Sequence, residues 1–431
     1  MNSENRPHES ESQRRLRAKK RRRARLRIAG LCAALAVAAG CLAAVGVHWL
    51  SARASTSLSA PSVQSLPAAA SASAPEPEPQ PTVETVRFSA TGDNLIHNGI
   101  YLEARSRTGD GSYDFGPLYE NMADFYAGFD VNWINQETLI TDEIPPSSYP
   151  QFCTPAACGQ AIYDLGMRVI AMSNNHAYDQ YAQGIEATLR FWNTMPDDVV
   201  TTGLWAGPED YSRIPMHTVN GVTIAYLAYT DSTNGIPLPD GAQANVILTS
   251  EEDVIQQQIQ LASQQADAVV VGFHWGVEGS HTVSDAQRTL AQKAADWGAD
   301  VIIGTHPHVV QGIELLTAAD GRTVPVAYSL GNFVSTQAYA DNMISYIFTF
   351  AITKTTQPDG TVSVLVGDVK AVPAVTHYDA GYKNIREYLY RDYTPELAAA
   401  HGCRANSPQF SYDYIRQVIE ENIDEAFIQW D

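Results

Sequence analysis

Three features predict an α/β domain with much parallel or mixed sheet, set behind a single membrane-spanning helix. Short β-branched runs alternate with helical patterns from about Thr82 to the end of the chain, the signature of strands joined through crossover helices. Six of seven candidate strands run into polar turns rich in Asp, Asn, Glu and His. Ahead of them stands an uncharged apolar stretch of 23 residues, Ile28 to Leu50. At about 1.5 Å per residue it is long enough to cross a hydrocarbon layer of roughly 30 Å.

In chain order, residues 1–27 are a basic segment, and residues 1–53 together hold twelve Lys/Arg against three Asp/Glu. Basic residues on the N-terminal flank of the 28–50 stretch predict a cytoplasmic N-terminus and a body outside the cell. A cleaved signal peptide competes, but its apolar region is ordinarily shorter and no strong cleavage site follows. Residues 51–81 are Ser, Ala and Pro, ending in alternating Pro, Glu and Gln, a semi-rigid spacer that cannot bury a core. Residues 82–431 are the folded extracellular domain. Its candidate strands are Thr85–Ala90, Val131–Asn135, Arg168–Met172, Val222–Tyr229, Ala268–Phe273, Val301–Ile303 and Val324–Tyr328. Ser250-Glu251-Glu252-Asp253 reads as a capping-box start for a helix through Gln265, and a second helix runs from Ser284 to Trp297, stopping at Gly298. Gln357-Pro358-Asp359-Gly360 between apolar runs signals a hairpin.

Composition narrows the function. Of 431 residues 45% are hydrophobic and 18% charged, which supports a real core and excludes wholesale disorder. The formal charge of −20 sums two unlike parts. Past residue 53 the chain carries 16 Lys/Arg against 45 Asp/Glu, a net of −29, which argues against nucleic acid as a partner of the main body. Cys32 and Cys41 lie in the apolar stretch. Cys153 and Cys158 are close enough for a small disulfide loop or stand as free thiols, and with the distant Cys403 they are too few for a Cys₄ zinc site.

The strand ends carry the chemistry. After the first strand comes Gly92-Asp93-Asn94, after the second Asn135-Gln136-Glu137, and after the third Ser173-Asn174-Asn175-His176 with Asp179 close behind. Later come His274-Trp275-Gly276-Val277-Glu278, then Gly304-Thr305-His306-Pro307-His308, then Ser329-Leu330-Gly331-Asn332. Ligands in open α/β sheets bind beyond the carboxyl ends of strands. Of the eleven histidines, His97, His176, His274, His281, His306 and His308 sit in or beside these turns. Carboxylates, an amide and neutral imidazoles suit a divalent transition metal (zinc, manganese or iron), whereas calcium prefers oxygen alone. Single members have ordinary explanations as caps and turn formers. His306 and His308 are expected to point the same way from an extended loop. The chain contains no G-x-x-x-x-G-K-[ST], G-x-G-x-x-G or G-x-S-x-G, so a metal-activated water is the most economical mechanism.

The string Gly92-Asp93, Asn135-x-Glu137, Asn174-Asn175-His176-x-x-Asp179, His274-Trp275-Gly276-x-Glu278, Gly304-x-His306-Pro307-His308-x-x-Gln311 and Tyr328-Ser329-Leu330-Gly331-Asn332-Phe333 resembles the CapA-like proteins of bacterial capsule and poly-γ-glutamate synthesis, over about residues 85–335. That family in turn resembles calcineurin-type metallophosphoesterases. The resemblance implies a two-sheet sandwich flanked by helices and a centre of one or two metal ions. It also implies membrane-associated work on an exported anionic polymer or another envelope substrate, alongside capsule-synthesis membrane proteins. Residue by residue, it makes Asp93, Glu137, Asn175, His274, His306 and His308 metal ligands and His176 the acid/base. One departure is Leu95, which stands where the phosphoesterases carry histidine. Glu278 is expected to act in catalysis or to orient His274, and Asn94, Trp275 and Asn332 to meet substrate.

Overall fold

The computed structural model describes residues 79–239 and 241–431. The basic segment 1–27, the anchor expected at 28–50 with Cys32 and Cys41, and all of the spacer before residue 79 lie outside the described residues. Among the described residues no helix is long and apolar enough to cross a membrane.

All seven expected strands form, most of them longer than their β-branched centres. They are β1 (Thr82–Asn94), β2 (Val131–Asn135), β3 (Val169–Ala171), β6 (Val222–Thr230), β7 (Ala268–His274), β8 (Val301–Thr305) and β10 (Thr323–Leu330). Seven more complete the sheets: β4 (Val200–Thr202), β5 (Met216–Val219), β9 (Val310–Thr317), β11 (Asn332–Val334), β12 (Ile344–Thr356), β13 (Val362–Asp379) and β14 (Lys383–Leu389). One sheet has eight strands in the order β14-β13-β12-β1-β2-β3-β4 with β11 beside the end of β1, and the other has six in the order β5-β6-β7-β8-β10-β9. Strands β1 to β4 are mutually parallel, as are β6, β7, β8 and β10, while hairpin neighbours run antiparallel. This is a mixed α/β fold with two sheets. The hairpin signal at 357–360 is the β12–β13 turn, closed by Gln357 N–H to the Thr361 carbonyl at 2.8 Å.

The sheets pack face to face. Phe88 on β1 meets Tyr226 on β6 with ring centroids 6.3 Å apart, and Gly272 of β7 lets the Trp133 ring approach where a Cβ would stand 3.2 Å away. Alternation sets the layers: Val270, Val301 and Ile303 face the inter-sheet core, while Val269, Val271 and Ile302 face Ile255, Ile259, Leu290 and Ala294 of the outer helices Glu252–Gln265 and Asp285–Trp297. The second helix starts at a true capping box of Ser284 and Gln287 and stops at Gly298, φ +124°. The expected box at Ser250 does not form. Glu251 is the N-cap without a side-chain cap bond, because its Oε1 accepts instead from the Leu248 amide at 2.9 Å. Cys153, Cys158 and Cys403 are free and buried, so the small disulfide loop is absent.

Two glycines let strand ends converge. A Cβ on Gly92 would lie 1.9 Å from the Gly331 carbonyl oxygen, and one on Gly304 would lie 2.0 Å from that of Tyr328. At Gly331, φ +76°, the chain leaves β10 in the six-stranded sheet and enters β11, where Asn332 pairs with Asp93 of β1. The two sheets are thereby tied at the end where the polar turns emerge. Gly304→Ala is expected to cost about 1–3 kcal/mol through overpacking against backbone, read from urea denaturation. A loss below about 0.5 kcal/mol, the scale of a neutral surface change, would contradict the close approach.

Candidate metal centre

The parallel registers bring the polar strand ends together. Asp93 lies opposite Asn135 across β1–β2 and opposite Asn332 across β1–β11, and His274 lies opposite Thr305 across β7–β8. Asp93 and Glu137 are wholly buried. The Asp93 carboxylate accepts from Asn135 Nδ2 at 2.7 Å through Oδ1, and through Oδ2 from the His306 amide at 3.3 Å and His308 Nδ1 at 3.1 Å. Glu137 Oε1 stands 3.5 Å from His274 Nε2 and 3.6 Å from His308 Nε2. His274 Nε2 lies 2.9 Å from Asn175 Oδ1 and 3.1 Å from His306 Nδ1. Asp93, Glu137, Asn175, His274, His306 and His308 therefore form one cluster, drawn from five strand ends and both sheets.

Its charge balance is one that could hold a cation. Both oxygens of Glu137 are buried without a hydrogen-bond partner, a costly state for a carboxylate unless another group faces it. Asp93, Glu137 and His308 each offer a ligand atom within 4.8 Å of the others, and Glu278, His306 and His308 form a second such group nearer solvent. Burial pushes the Glu137 carboxyl well above the usual carboxylate range, although His308 pulls the other way. Burial, then repulsion from His306 and His308, hold His274 neutral, the form that binds metal. Burial opposes a proton on His308 too, but the Glu137 and Asp93 carboxylates outweigh it and lift that imidazole to about 10. A proton there occupies the place a cation would take.

Beside this cluster, His176 Nδ1 contacts Asp179 Oδ2 at 2.8 Å, and the ring packs edge-on against Phe152 at 4.6 Å. Asp179 is itself held by the Phe152 amide at 2.6 Å.

Several expectations are corrected. Trp275 is a core residue, stacked on Phe273 at 4.7 Å with its indole N–H donated to the Tyr328 carbonyl. Asn94 is equally buried, donating to Gln136 Oε1 and accepting from the Tyr119 hydroxyl. Both are all but closed to solvent. Asn332 is buried and touches His308 Nδ1 through Oδ1 at 3.0 Å, so it positions a ligand candidate. Glu278 is exposed and does not orient His274; Thr305 Oγ1 at 3.0 Å and Asn135 Nδ2 at 3.3 Å do so at Nδ1. The loop holding His306 and His308 is not extended. Both residues have positive φ, +96° and +58°, and the rings converge because the backbone is coiled left-handed. His281 stays outside the cluster, braced by the Val310 carbonyl and Asp341. Leu95 is buried.

Three further residues support the site without a role expected of them from sequence, although Asn135 stands in the motif string. Asn135 and Thr305 act through neighbours on adjacent strands. The loop after β6 supplies Asn234, whose Oδ1 accepts from Asn175 Nδ2 at 3.2 Å and whose Nδ2 lies 3.3 Å from His176 Nδ1. Its Asp231-Ser232-Thr233-Asn234-Gly235 composition matches the other polar turns and was the available signal. His97 packs against Phe152 at 5.3 Å with Nδ1 on the Leu95 carbonyl, and burial holds its imidazole down at about 4.

A pH dependence follows from His308. Its raised pKa means that, without metal, this group's contribution to stability is complete below about 6.5, its unfolded value, and is lost as pH climbs toward about 10. A cation competing for the same place should gain affinity over that same window. Calorimetry at pH 7.5 in two buffers of different ionisation enthalpy should show about one proton released per cation bound. Binding without proton release would contradict this electrostatic picture.

Comparison with known proteins agrees with the motif string. Residues 87–337 match the family model described as bacterial capsule synthesis protein PGA_cap. The chain is 34% identical to the PGA biosynthesis protein CapA of Bacillus subtilis over 266 residues, covering 62% of this chain and 67% of that one. It is also 34% identical to the capsule biosynthesis protein CapA of Bacillus anthracis over 184 residues, 42% of this chain and 43% of the relative. Among solved structures, the NAD nucleotidase of Haemophilus influenzae aligns with TM-score 0.41 and 11% identity, over 81% of this chain and 57% of that one. With its strand-end carboxylates, amides and histidines all inside the matched span, the chain belongs to the PGA_cap family of bacterial capsule synthesis proteins.

Proposed function

We propose that this family member is a membrane-anchored, metal-dependent hydrolase or transferase that works outside the cell on an exported capsule polymer, poly-γ-glutamate included, or on another envelope substrate. The observation that carries the reading is Glu137, a buried carboxylate with two unpartnered oxygens, whose Oε1 faces two imidazoles brought by the opposite sheet. Asp93, Glu137 and His308 would hold a zinc, manganese or iron ion, with Asn175, His274 and His306 converging beside them for the rest of its coordination or for a second ion. When bound, the metal polarises an ester, amide or phosphoryl oxygen and lowers the pKa of water.

The protein's own groups do the rest. Asn135, Thr305 and Asn332 fix the imidazoles that face the cation. Asp179 holds His176 at Nδ1, which leaves Nε2 as the atom that gives or takes the proton. The acidic body offers a polyanion no long-range attraction, so capture of such a polymer would fall to the cation and to local contacts. A phosphodiesterase acting on envelope phosphate shares this machinery.

Leu95 favours a second reading, a non-catalytic capsule assembly factor on a metallophosphoesterase-like scaffold. Elemental analysis of the purified full-length chain separates the two. The enzyme reading expects at least one transition metal, lost in His306→Ala/His308→Ala, and capsule production that fails in the same double variant. Absence of metal together with unchanged capsule production would defeat it. Hydrolysis of a generic phosphodiester, abolished by chelator and by Asp93→Ala, would place the chemistry at phosphorus and not at an amide. His176→Gln should lower turnover about 10²–10⁴-fold, the range for general acid–base groups, while leaving the metal content intact. Metal lost along with activity would reassign His176 as a ligand.

A further inference from the structure

We propose that Glu278, His306 and His308 form a loading seat at the mouth of the centre, where a divalent cation is taken up before it passes to the buried position between Asp93 and Glu137. The inference rests on the centre being a cation site and adds how the ion reaches it.

The buried position has no solvent face. Asp93 and Glu137 are fully buried and His308 is nearly so, so an ion arriving with its water shell needs a place to exchange water for protein ligands. The outer group provides one, because its three ligand atoms lie within 4.8 Å of one another while Glu278 is exposed and His306 half-buried. The loop is fixed for the task. Gly279 N–H donates to the Pro307 carbonyl at 2.8 Å, which holds residues 276–279 against the loop carrying both histidines.

The seats cannot be filled together, because they share one lone pair. Asn332 Nδ2 donates to Gln337 Oε1 and to the Asn342 carbonyl, which turns its Oδ1 toward His308. His308 Nδ1 must then be the N–H, shared between Asn332 Oδ1 and Asp93 Oδ2 at 3.0 and 3.1 Å. A neutral imidazole has a single remaining acceptor, here Nε2, which sits 3.6 Å from Glu137 Oε1. His308 can therefore serve the outer group or the inner one, and a small turn of one ring hands the ion inward.

The test uses full-length protein in detergent, stripped by chelator and reloaded with Zn²⁺ in stopped flow against a chromophoric chelator, with the final zinc count taken by elemental analysis. Glu278→Gln should bind the same number of ions as wild type, while uptake and chelator-driven release both slow roughly tenfold or more, the scale of losing a supporting group at a metal site. Glu278→Asp should recover part of the rate. Unchanged rates in Glu278→Gln would overturn the seat, and so would a count lower by one, which would make Glu278 a resident ligand. Equal slowing in Asp231→Asn, which removes a nearby charge that acts on His306 while its remaining side-chain oxygen can still accept the Gly276 amide, would also overturn it by reducing Glu278 to long-range attraction. A wild type that takes up no zinc would refute the proposed function itself, whatever the variants do.

Discussion

The arrangement depends on one buried negative charge. Asp93 sits at the carboxyl end of β1, in the middle of the larger sheet and with no exposure, where a lone carboxylate would cost several kcal/mol. It survives there because two other segments bring three donors: Asn135 at the end of β2, and the His306 amide and His308 imidazole from the loop after β8. Those donors reach it only because Gly92 and Gly331 let two backbones touch and because the chain changes sheets between Leu330 and Asn332. Close approach of the sheets and assembly of the cluster are therefore one structural event.

Charge is graded from the surface inward. The body is strongly acidic, Glu278 and Asp231 stand at the mouth, and the interior sets Asp93 and Glu137 beside His308, whose proton they favour, and beside His274 and His306, which burial holds toward the neutral form. The field along this path draws cations and repels anions.

Much of this was legible in sequence, for identifiable reasons. Seven strands were readable because buried parallel strands are continuous β-branched runs, and the site because each run ends in residues that neither pack nor merely turn. Strands β4 and β11 escape detection because, unlike the equally short β3 inside the run Arg168–Met172, neither stands in a longer apolar run. β12 lies beside β1 through nine registered pairs from Thr82↔Thr356 to Ala90↔Phe348, a long-range pairing that local pattern does not reveal beyond its hairpin turn. The centre of the larger sheet thus depends on residues past 337, outside the span matched to the family. Trp275 was misplaced because one spacing rule serves both a groove residue and a core residue; only the close pass of Gly304, whose Cβ would crowd the indole nitrogen at 2.6 Å, distinguishes them. The positive φ of His306 and His308 was hidden because it is uncommon for any residue but glycine.

That coiling carries a further consequence. Two non-glycine residues held left-handed on either side of a proline cost on the order of 1–3 kcal/mol each, in a part of the chain where glycine would sit without strain. A lineage selected for thermal robustness alone would drift toward glycine at both positions and gain stability as it lost its imidazoles. The loop is therefore a fault line between durability and function. Glycine at either position would relieve that strain and, in the same step, take an imidazole out of the cluster.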